Sequence, residues 1–365
     1  MTTKTKNYDL IIIGGGISGL MCAYKAIHLN PNLKVVIFDK GKTLNNRKCP
    51  IISKTSKTCL NCSPCSVMTG ISGAGAFSDG KYNISTQFGG WLTDFYPDEY
   101  VMNYILEANK ILEKYGAVKE TYKPNDELKL QCLKFNLHML QAEVKHLGTD
   151  LNFITMQNFV ADLEKYVEII PDYDVTHINK TAMEVTANGE VFTAKNIVFA
   201  VGRYGSQFLA GWCRENEIPM YNNQIDIGVR VELPRVIWKS ISDKIYEPKI
   251  VYRTQSHEDQ TRTFCFNDGG HVVIENTDGI YTVNGHAYKK ESKKTENSNF
   301  AILSTNRFTQ PFNKPIEYAK YVAVLANKLS GGGSVLVQRF GDLVQGRRTN
   351  EERLFKNTVR PTLNA

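Results

Sequence analysis

The chain has 365 residues, of which 42% are hydrophobic, and its 44 basic and 37 acidic side chains give a formal net charge of +7. This length allows two domains, or one domain with a large insertion, built around a sizeable core. Part of the basic excess lies in short runs such as Lys289–Lys294, which are typical of a solvated loop, so nucleic acid is an unlikely partner.

The N-terminal sequence argues against export and against a membrane-bound protein. Residues 1–6 are polar and lead directly into an apolar segment, without the apolar core or cleavage site of a signal peptide. No apolar run approaches the length that spans a bilayer. We therefore expect a cytoplasmic protein that does not act at a membrane and whose thiols are normally reduced.

The opening segment predicts a strand, a glycine turn, a helix, a second strand and an acid. Apolar residues 9–13 are followed by three glycines at G-x-G-x-x-G spacing, which permit a tight turn, close approach to a pyrophosphate and close helix–sheet packing. Strand 35–38 ends at Asp39, twenty residues after Gly19, where a carboxylate suits a ribose diol. We therefore predict a dinucleotide site formed by Gly14, Gly16, Ile17, Ser18, Gly19, Asp39 and Lys40.

The middle of the chain predicts a loop, then helices, then strands. Residues 41–90 are rich in Gly, Ser, Cys and Pro and predict a long ordered loop. Helical spacing follows, and an Asn188-Gly189 pair then predicts a hairpin. The predicted helices are 99–115, 127–146 and 155–169, and the predicted strands are 175–178, 182–186, 191–193 and 196–202.

The last part of the chain predicts a second sheet and one helix. Segment 224–288 alternates like a mixed or antiparallel sheet, with strands near 225–233, 262–266 and 271–275. Residues 289–315 are polar and predict irregular structure, and a helix is expected at about 316–329.

The strand at 196–202, together with the hairpin before it, resembles the second signature of flavoproteins with two dinucleotide-binding folds. In those proteins a β-meander leads into a strand that ends in an Ala-Thr-Gly-like turn near the cofactor, and here the turn reads Ala200-Val201-Gly202. A glycine at this point lets the backbone approach a flat ligand. With the glycine fingerprint, the resemblance implies FAD rather than NAD, with Ala200 and Gly202 at a second contact.

A closer resemblance lies in residues 66–81, where the run from Gly73 to Lys81 is similar to a segment of a little-characterised bacterial and archaeal family of FAD-dependent dehydrogenases. Ser72 and Asn267-Asp268 stand where that family usually has Gly and Cys-Pro. The resemblance implies an α/β protein whose Rossmann-like FAD-binding domain, built on a parallel sheet, is interrupted by an inserted mixed or antiparallel-sheet domain. The other matching segments are Gly202–Gly205, Asp226–Glu232, Phe264–Gly270, Gln338–Asp342 and Val359–Leu363.

From these boundaries we expect five parts along the chain. They are 1–90, the first part of the FAD-binding domain with the Cys/Gly-rich loop; 91–170, a helical segment; 171–222, the second part of the FAD-binding domain; 223–330, an inserted substrate-type domain; and 331–365, an incomplete return segment toward the FAD-binding domain.

The glycine-rich loop at 70–81 is a candidate flavin contact. Its glycines allow the backbone to press against a ring, so we place Gly73, Gly75 and Ala76 near the flavin. Ser78 and Lys81 are candidates for hydrogen bonds to flavin or substrate, and a positive charge there would stabilise the anionic reduced flavin. The alternative is a glycine-rich connector with a solvated turn.

Four of the eight cysteines lie close together at Cys49, Cys59, Cys62 and Cys65. Two-residue gaps let thiolates converge on one metal, so the group is a candidate for an iron–sulfur cluster or zinc, with redox thiols or structural cysteines as the alternatives. Cys22, Cys132 and Cys213 are predicted core thiols. Cys265 is either a buried thiol or one that faces a substrate.

Two arginines follow or lie on predicted strands. Arg203, after the cofactor-proximal Gly202, is a candidate to hold the pyrophosphate or an anionic substrate. Arg230 and Glu232 lie two residues apart on one strand, so they share a face and are expected to pair.

The resemblance implies an FAD-dependent oxidoreductase that passes hydride or electrons between an unidentified small-molecule substrate and an acceptor, with NAD(P)H or a protein as electron donor. A flavin-dependent RNA-modifying enzyme and a non-catalytic nucleotide- or metal-binding module are the alternatives. In the family, further sequence after the segment like Val359–Leu363 closes the flavin site, whereas this chain ends at Ala365. We therefore expect a truncated or split member with an incomplete FAD site. No catalytic residue is identified.

Overall fold

A computed structural model describes residues 6–56, 59–277, 279–331, 335–354, 356–359 and, for the backbone alone, 363–364. The helices are α1 (Ile17–Leu29), α2 (Asp98–Lys114), α3 (Asp126–Leu133), α4 (Gly148–Leu163), α5 (Ser206–Glu215), α6 (Arg235–Ser242), α7 (Pro315–Leu329) and α8 (Phe340–Val344). The strands are β1 (Lys6–Ile13), β2 (Val35–Phe38), β3 (Lys81–Ile84), β4 (His138–Leu140), β5 (Glu143–His146), β6 (Glu168–Ile170), β7 (Val175–Asn179), β8 (Glu184–Ala187), β9 (Glu190–Phe199), β10 (Ile225–Pro234), β11 (Lys249–Arg253), β12 (Gln260–Asn267), β13 (His271–Thr277), β14 (Ile280–His286), β15 (Asn297–Asn306), β16 (Leu336–Val337) and β17 (Leu363–Asn364).

The chain divides into two compact units, each made of two segments. The first unit contains residues 1–78 and 152–221, and the second contains residues 79–151 and 222–365. None of the helices in the described ranges has the length and apolar character needed to cross a membrane.

The first unit is built on a six-stranded sheet in the order β6-β2-β1-β9-β8-β7. Strand β1 runs parallel to β2 and β9, and Ile12 lies opposite both Ile37 and Val198. Strands β7, β8 and β9 form an antiparallel meander whose last turn lies between Ala187 and Glu190, as the hairpin signal predicted. The predicted α/β fold with a parallel sheet is confirmed, although β9 is one continuous strand rather than two.

Both faces of this sheet are covered, which explains the continuous apolar runs of β1 and β2. Successive side chains of a strand point to opposite faces. Ile11 and Ile13 therefore join the buried cluster of Phe38 and Phe192, against which Trp212 of α5 packs. On the other face Ile12 and Ile37 are fully buried, as are the helix residues Leu20 and Ala23.

The second unit is built on a five-stranded antiparallel sheet in the order β10-β15-β12-β11-β4. The long strand β15 pairs with β10 on one side and β12 on the other, with Ile302 opposite Val229 and Thr263. Smaller pairs are the antiparallel β13–β14 hairpin, antiparallel β3–β5 and the short parallel pair β16–β17. The predicted antiparallel second sheet is confirmed.

Two element predictions in this unit are wrong for identifiable reasons. The helix predicted over 127–146 ends at Leu133, because Asn136 adopts a left-handed conformation (φ +56°) and the N–H of Leu137 bonds back to Cys132. Segment 289–315, predicted irregular because it is polar, contains β15. Its buried asparagines bond to side chains of other strands, as when Asn297 donates to Glu232 at 2.9 Å and Asn299 Oδ1 accepts from Arg230 at 2.9 Å.

The predicted long loop at 41–90 is also more structured than expected. It contains β3 and short 3₁₀ turns at Leu44–Asn46 and Ala74–Phe77, and a further 3₁₀ turn, Leu92–Asp94, follows it. The helices predicted at 99–115 and 316–329 are confirmed as α2 and α7, and the helix predicted over 155–169 is shifted toward the N-terminus as α4.

Candidate dinucleotide site

The glycine turn after β1 has the geometry that its spacing predicts. Gly14 lies at φ +106°, and a side-chain carbon there would overlap the carbonyl oxygen of Ala200 and lie 2.7 Å from the carbonyl carbon. A carbon on Gly19 would overlap the carbonyl oxygen of Gly14 and lie 3.2 Å from Ile12 Cγ2. Position 14 therefore requires glycine for the turn, and position 19 requires it for the contact between helix and strand.

Gly16 differs from the other two glycines because the protein leaves space beside it. It is the N-cap of α1 with an extended backbone (φ −71°, ψ 178°), and its nearest neighbour for an added carbon is Gly73 Cα at 3.9 Å. Ile17 and Ser18 follow on the exposed first turn, and their N–H groups have no hydrogen-bond partner within the described residues. This helix end can therefore receive an anion.

Asp39 lies beside this turn, and both oxygens of its carboxylate accept hydrogen bonds from the backbone. Oδ2 accepts the N–H of Gly15 at 2.8 Å and Oδ1 accepts the N–H of Gly41 at 2.8 Å. Burial raises the pKa of Asp39 above the ordinary aspartate value, although the N–H groups of Gly41 and Gly15 act in the opposite direction. The predicted ribose acceptor is thus also a structural tie between the glycine turn and the end of β2.

The next residue, Lys40, points toward the end of β9. Its Nζ lies 4.0 Å from the centre of the Tyr204 ring, in a cation–π contact. This contact fixes the lysine close to the turn that follows Gly202.

Arg47, which no sequence motif marks, holds the glycine-rich loop over the turn. The side chain is only 4% exposed and donates to four backbone carbonyls of the loop. Burial lowers the pKa of Arg47 to about 10, so the guanidinium is charged at neutral pH. Its acceptors are the carbonyl oxygens of Ser66 (2.9 Å), Val67 (2.7 Å), Ile71 (2.8 Å) and Gly73 (2.7 Å).

The loop lies directly against the fingerprint. The N–H of Ser72 donates to Gly15 O at 2.8 Å, and a side-chain carbon on Gly73 (φ +63°) would lie 3.1 Å from Gly16 Cα. Ser72 itself has φ +73°, a conformation that favours glycine, the residue usual at this position in the family that the sequence resembles. Its buried hydroxyl has no hydrogen-bond partner in the described part of the chain.

The remaining predicted loop residues form a short 3₁₀ turn over Ala74–Phe77. Gly75 has open space where a side chain would be, and its carbonyl accepts from Asn152 Nδ2 at 2.8 Å and from Ser78 Oγ at 2.7 Å. Ala76 is buried. Asn152, from α4, is a second positioning residue, and no local sequence pattern marks it.

The second flavoprotein-like signature, at the end of β9, lies against the glycine turn after β1. The N–H of Ala200 donates to Ile13 O at 2.8 Å, and the carbonyl of the same Ala200 is the group that a side-chain carbon on Gly14 would overlap. Gly202 lies at φ +59° with open space around it. The two signatures therefore meet at the carboxyl ends of β1 and β9, the edge where ligands bind in parallel α/β sheets.

Lys81 belongs to the second unit, in a cluster of buried charges. Its Nζ lies 2.8 Å from Glu247 Oε2, 3.3 Å from Asp79 Oδ2 and 2.7 Å from the carbonyl oxygen of Phe266. Although burial alone would lower the pKa of Lys81, Asp79, Cys265 and Glu247 raise it above the ordinary lysine value. Lys81 is thus a permanently charged member of this cluster.

The predicted cysteine site is not supported. Within the described ranges, which include Cys49, Cys59, Cys62 and Cys65, no group of three or more His, Cys, Asp or Glu side chains is placed to hold a metal ion. Of these cysteines Cys62 is exposed and the other three are intermediate in exposure; Cys22, Cys132 and Cys213 are also intermediate rather than buried.

The expected Arg230–Glu232 pair does not form. Arg230 donates to Asn299 Oδ1 at 2.9 Å and to the carbonyl oxygen of Cys265 at 2.8 Å. Glu232 instead accepts from the backbone and hydroxyl of Thr358. Arg230 therefore bonds to residues of other strands, and Glu232 bonds to the C-terminal segment.

No protein-family model matches the sequence, and no curated protein matches it. Solved structures match at low identity. The L-amino acid deaminase from Proteus myxofaciens in complex with anthranilate is 13% identical over 64% of this chain and 53% of its own, with a TM-score of 0.37. Glycine oxidase from Geobacillus kaustophilus is 10% identical over 98% and 99%, with a TM-score of 0.39. CtdE in complex with FAD is 10% identical over 84% and 61%, with a TM-score of 0.35.

Within the C-terminal segment that the sequence singles out, Arg360, Pro361, Thr362 and Ala365 lie outside the described residues. The Gly341-Asp342 turn lies in α8, where buried Asp342 accepts from Arg347 Nε at 2.6 Å and Arg353 Nε at 2.9 Å. This aspartate therefore holds its own segment of the second unit together.

Proposed function

We propose that this protein is an FAD-dependent oxidoreductase and that the first unit holds the ADP half of the cofactor. The observation that carries the proposal is the glycine turn. Gly14 and Gly19 pack backbone against backbone, while the place of a side chain on Gly16 is open and the following N–H groups of Ile17 and Ser18 have no partner within the described residues. A pyrophosphate fits such a helix end because of its charge and its oxygen acceptors.

The residues around the turn fit the rest of an adenine dinucleotide. Asp39, which already holds Gly15 and Gly41, retains lone pairs that could accept a ribose hydroxyl. Lys40 adds a positive charge beside the turn after Gly202. The unpartnered Ser72 hydroxyl lies in the loop that covers Gly15 and Gly16.

FAD is favoured over NAD because a second stretch of backbone that a flat ligand could approach lies beside the glycine turn. Gly202 at the end of β9 and Gly75 in the loop have open space where a side chain would be, and Gly73 of the same loop packs against the fingerprint at Gly16. Bound flavin would supply the redox chemistry, taking a hydride or electrons from a small-molecule substrate or from NAD(P)H or a protein donor. The chain's own contribution at this site is to bind and orient the cofactor.

Anaerobic purification of the full chain, followed by an absorption spectrum and titration with FAD, FMN and NAD, tests the proposal. Since the groups described would hold the ADP half, FAD should bind at least about tenfold more tightly than FMN, and ADP-ribose should compete with it. The bound flavin should bleach on reduction with dithionite. Absence of FAD binding, or equal affinity for FMN, would overturn the proposal.

A further inference from the structure

Two helices of the second unit, α2 and α7, each have one apolar face that the described parts of the chain leave uncovered. Along α2 the exposed rings follow one another at helical spacing, from Tyr96 just before the helix to Tyr100 and Tyr104 within it. All of the side chains in the two faces are between 41% and 64% exposed. Those of α7 are Tyr318, Tyr321, Leu325 and Leu329. We propose that α2 of one copy of this chain packs antiparallel against α7 of a second copy.

Both helices are held in the fold by their other faces. Val101 and Leu112 of α2 are buried. On α7, Asn327 accepts the N–H of Tyr281 at 2.7 Å and donates to the carbonyl oxygen of Tyr281 at 2.8 Å, which joins the helix to β14. The exposed faces therefore lie on helices that are already fixed, so little ordering of backbone opposes their association.

The tyrosines of α2 form one continuous aromatic surface. The ring centroids of Tyr96 and Tyr100 lie 5.3 Å apart, and those of Tyr100 and Tyr104 lie 5.0 Å apart. The hydroxyls of Tyr100 and Tyr104 are within 3.2 Å of each other. Tyrosine is enriched at protein–protein interfaces because its ring is apolar while its hydroxyl remains a hydrogen-bonding group. A run of exposed rings of this kind marks an interaction surface.

The charges beside the two faces match in sign and in spacing. Glu99 and Lys110 lie eleven residues apart on α2, and Glu317 and Lys328 lie eleven residues apart on α7. Eleven residues make about three helical turns and rise about 16 Å, so the two charges of each helix lie on one side of it. When the helices run antiparallel, Glu99 can therefore lie opposite Lys328 while Lys110 lies opposite Glu317.

These charges are available to a partner. All four side chains are exposed, and within the described ranges Glu99, Lys110 and Lys328 form no ion pair. Glu317 has an exposed contact with Lys314 at 3.5 Å, which is weak because water screens both charges.

The apolar faces would supply the affinity, and the charges would set the orientation. Exposed ion pairs contribute little free energy, whereas burial of tyrosine and leucine side chains contributes more. A parallel arrangement would bring Glu99 to Glu317 and Lys110 to Lys328, and such like-charge contacts are unfavourable. In a two-fold dimer the contact occurs twice, because α2 of each copy meets α7 of the other. The inference does not depend on flavin binding, since both helices belong to the second unit.

The test is to measure the mass of the full chain by size-exclusion chromatography with light scattering between about 1 and 100 μM. The mass should rise from that of one copy to that of two. Glu99→Lys and Lys328→Glu, each alone, should weaken the dimer at least about tenfold, because like charges then meet at both contacts. Glu215→Lys, the same change at an exposed site on α5, should leave the dimer unchanged. A parent chain that stays monomeric throughout would overturn the proposal and leave the two faces to a different partner.

An equimolar mixture of Glu99→Lys and Lys328→Glu chains separates docking from a general effect of charge. In the mixed dimer one contact has both parental charges and the other has both charges reversed, so opposite charges meet at each. The mixture should recover the parental dimer although neither variant dimerises alone, and absence of recovery would overturn the proposal. Leu325→Ser should also weaken the dimer at least about tenfold, whereas Val236→Ser, at an exposed apolar side chain on α6, should not.

Discussion

A side-chain carbon on Gly14 would lie 2.7 Å from the carbonyl carbon of Ala200, so the turn after β1 and the end of β9 pack backbone against backbone. Ala200 in turn donates its N–H to Ile13 at 2.8 Å. The glycine fingerprint is therefore part of the core of the first unit before any cofactor binds. Its three glycines have different tasks, which single substitutions can separate.

Gly14→Ala should lower the free energy of unfolding by about 3 kcal/mol, because the new carbon overlaps backbone that cannot move independently. Gly16→Ala should change it by less than about 0.5 kcal/mol, because nothing lies within 3.9 Å of the added carbon. FAD affinity should nevertheless fall at least about tenfold in Gly16→Ala, since the methyl group occupies the space in front of the helix end. Urea unfolding and FAD titration measure the two effects. A Gly14→Ala protein as stable as the parent would contradict the packing described.

Arg47→Met should loosen the loop that covers the fingerprint. The substitution removes the donors to the carbonyls of Ser66, Val67, Ile71 and Gly73, and we expect a loss of about 2–4 kcal/mol in unfolding free energy. Amide hydrogen exchange should accelerate over residues 66–73 while that of β1 and β2 is unchanged. Lys48→Met, at an exposed neighbouring cation, is the matched control and should have no effect. Unchanged exchange in the loop would show that Arg47 does not order it.

The contrast between Gly14 and Arg47 shows what the sequence can predict. The glycine turn was predictable because strand, turn, helix and acid follow one another within about thirty residues and each has a local signature. Arg47 was not, because its partners are backbone carbonyls 19 to 26 residues away, and a carbonyl is present at every position.

The same limit explains the misplaced elements and the second charged cluster. Strand β15 was missed because it begins with buried Asn297, Ser298 and Asn299, whose side-chain partners are distant in sequence, such as Glu232 for Asn297. Lys81 meets Glu247 and Cys265 across 166 and 184 residues of chain, a distance that no spacing rule covers. Long-range polar pairing was the part of the fold and of the candidate sites that one sequence could not reveal.

Asp39→Ala should destabilise the protein even without a ligand. The carboxylate is the acceptor for the N–H groups of Gly15 and Gly41, and leaving both without a partner in a buried place costs about 2–4 kcal/mol. Urea unfolding of the FAD-free protein measures this cost. Glu164→Ala, at an exposed carboxylate just beyond α4, is the control. If Asp39 served only a ribose, the FAD-free proteins would be equally stable.

Unfolding of the protein should become easier in mild acid because of His146. Its ring stacks on Tyr246 with centroids 3.8 Å apart, and Nε2 is hydrogen-bonded to the tyrosine hydroxyl at 2.7 Å. Burial, and then the charges of Lys81, Lys289 and Lys294, lower the pKa of His146 to about 2. Burial and His271 also lower the pKa of His286, to about 4.

A histidine whose pKa is depressed in the folded state stabilises the protein fully above its ordinary pKa, and this contribution is lost as the pH falls below about 6.5. His146 alone should therefore remove up to about 1.4 kcal/mol of unfolding free energy for each pH unit below that value. Urea unfolding between pH 7.5 and 4.5 should show this slope, and His146→Asn should be less stable at pH 7.5 but flatter with pH. His257→Asn, at an exposed turn, should keep the parental slope. A parental slope in His146→Asn would mean that other groups cause the acid sensitivity.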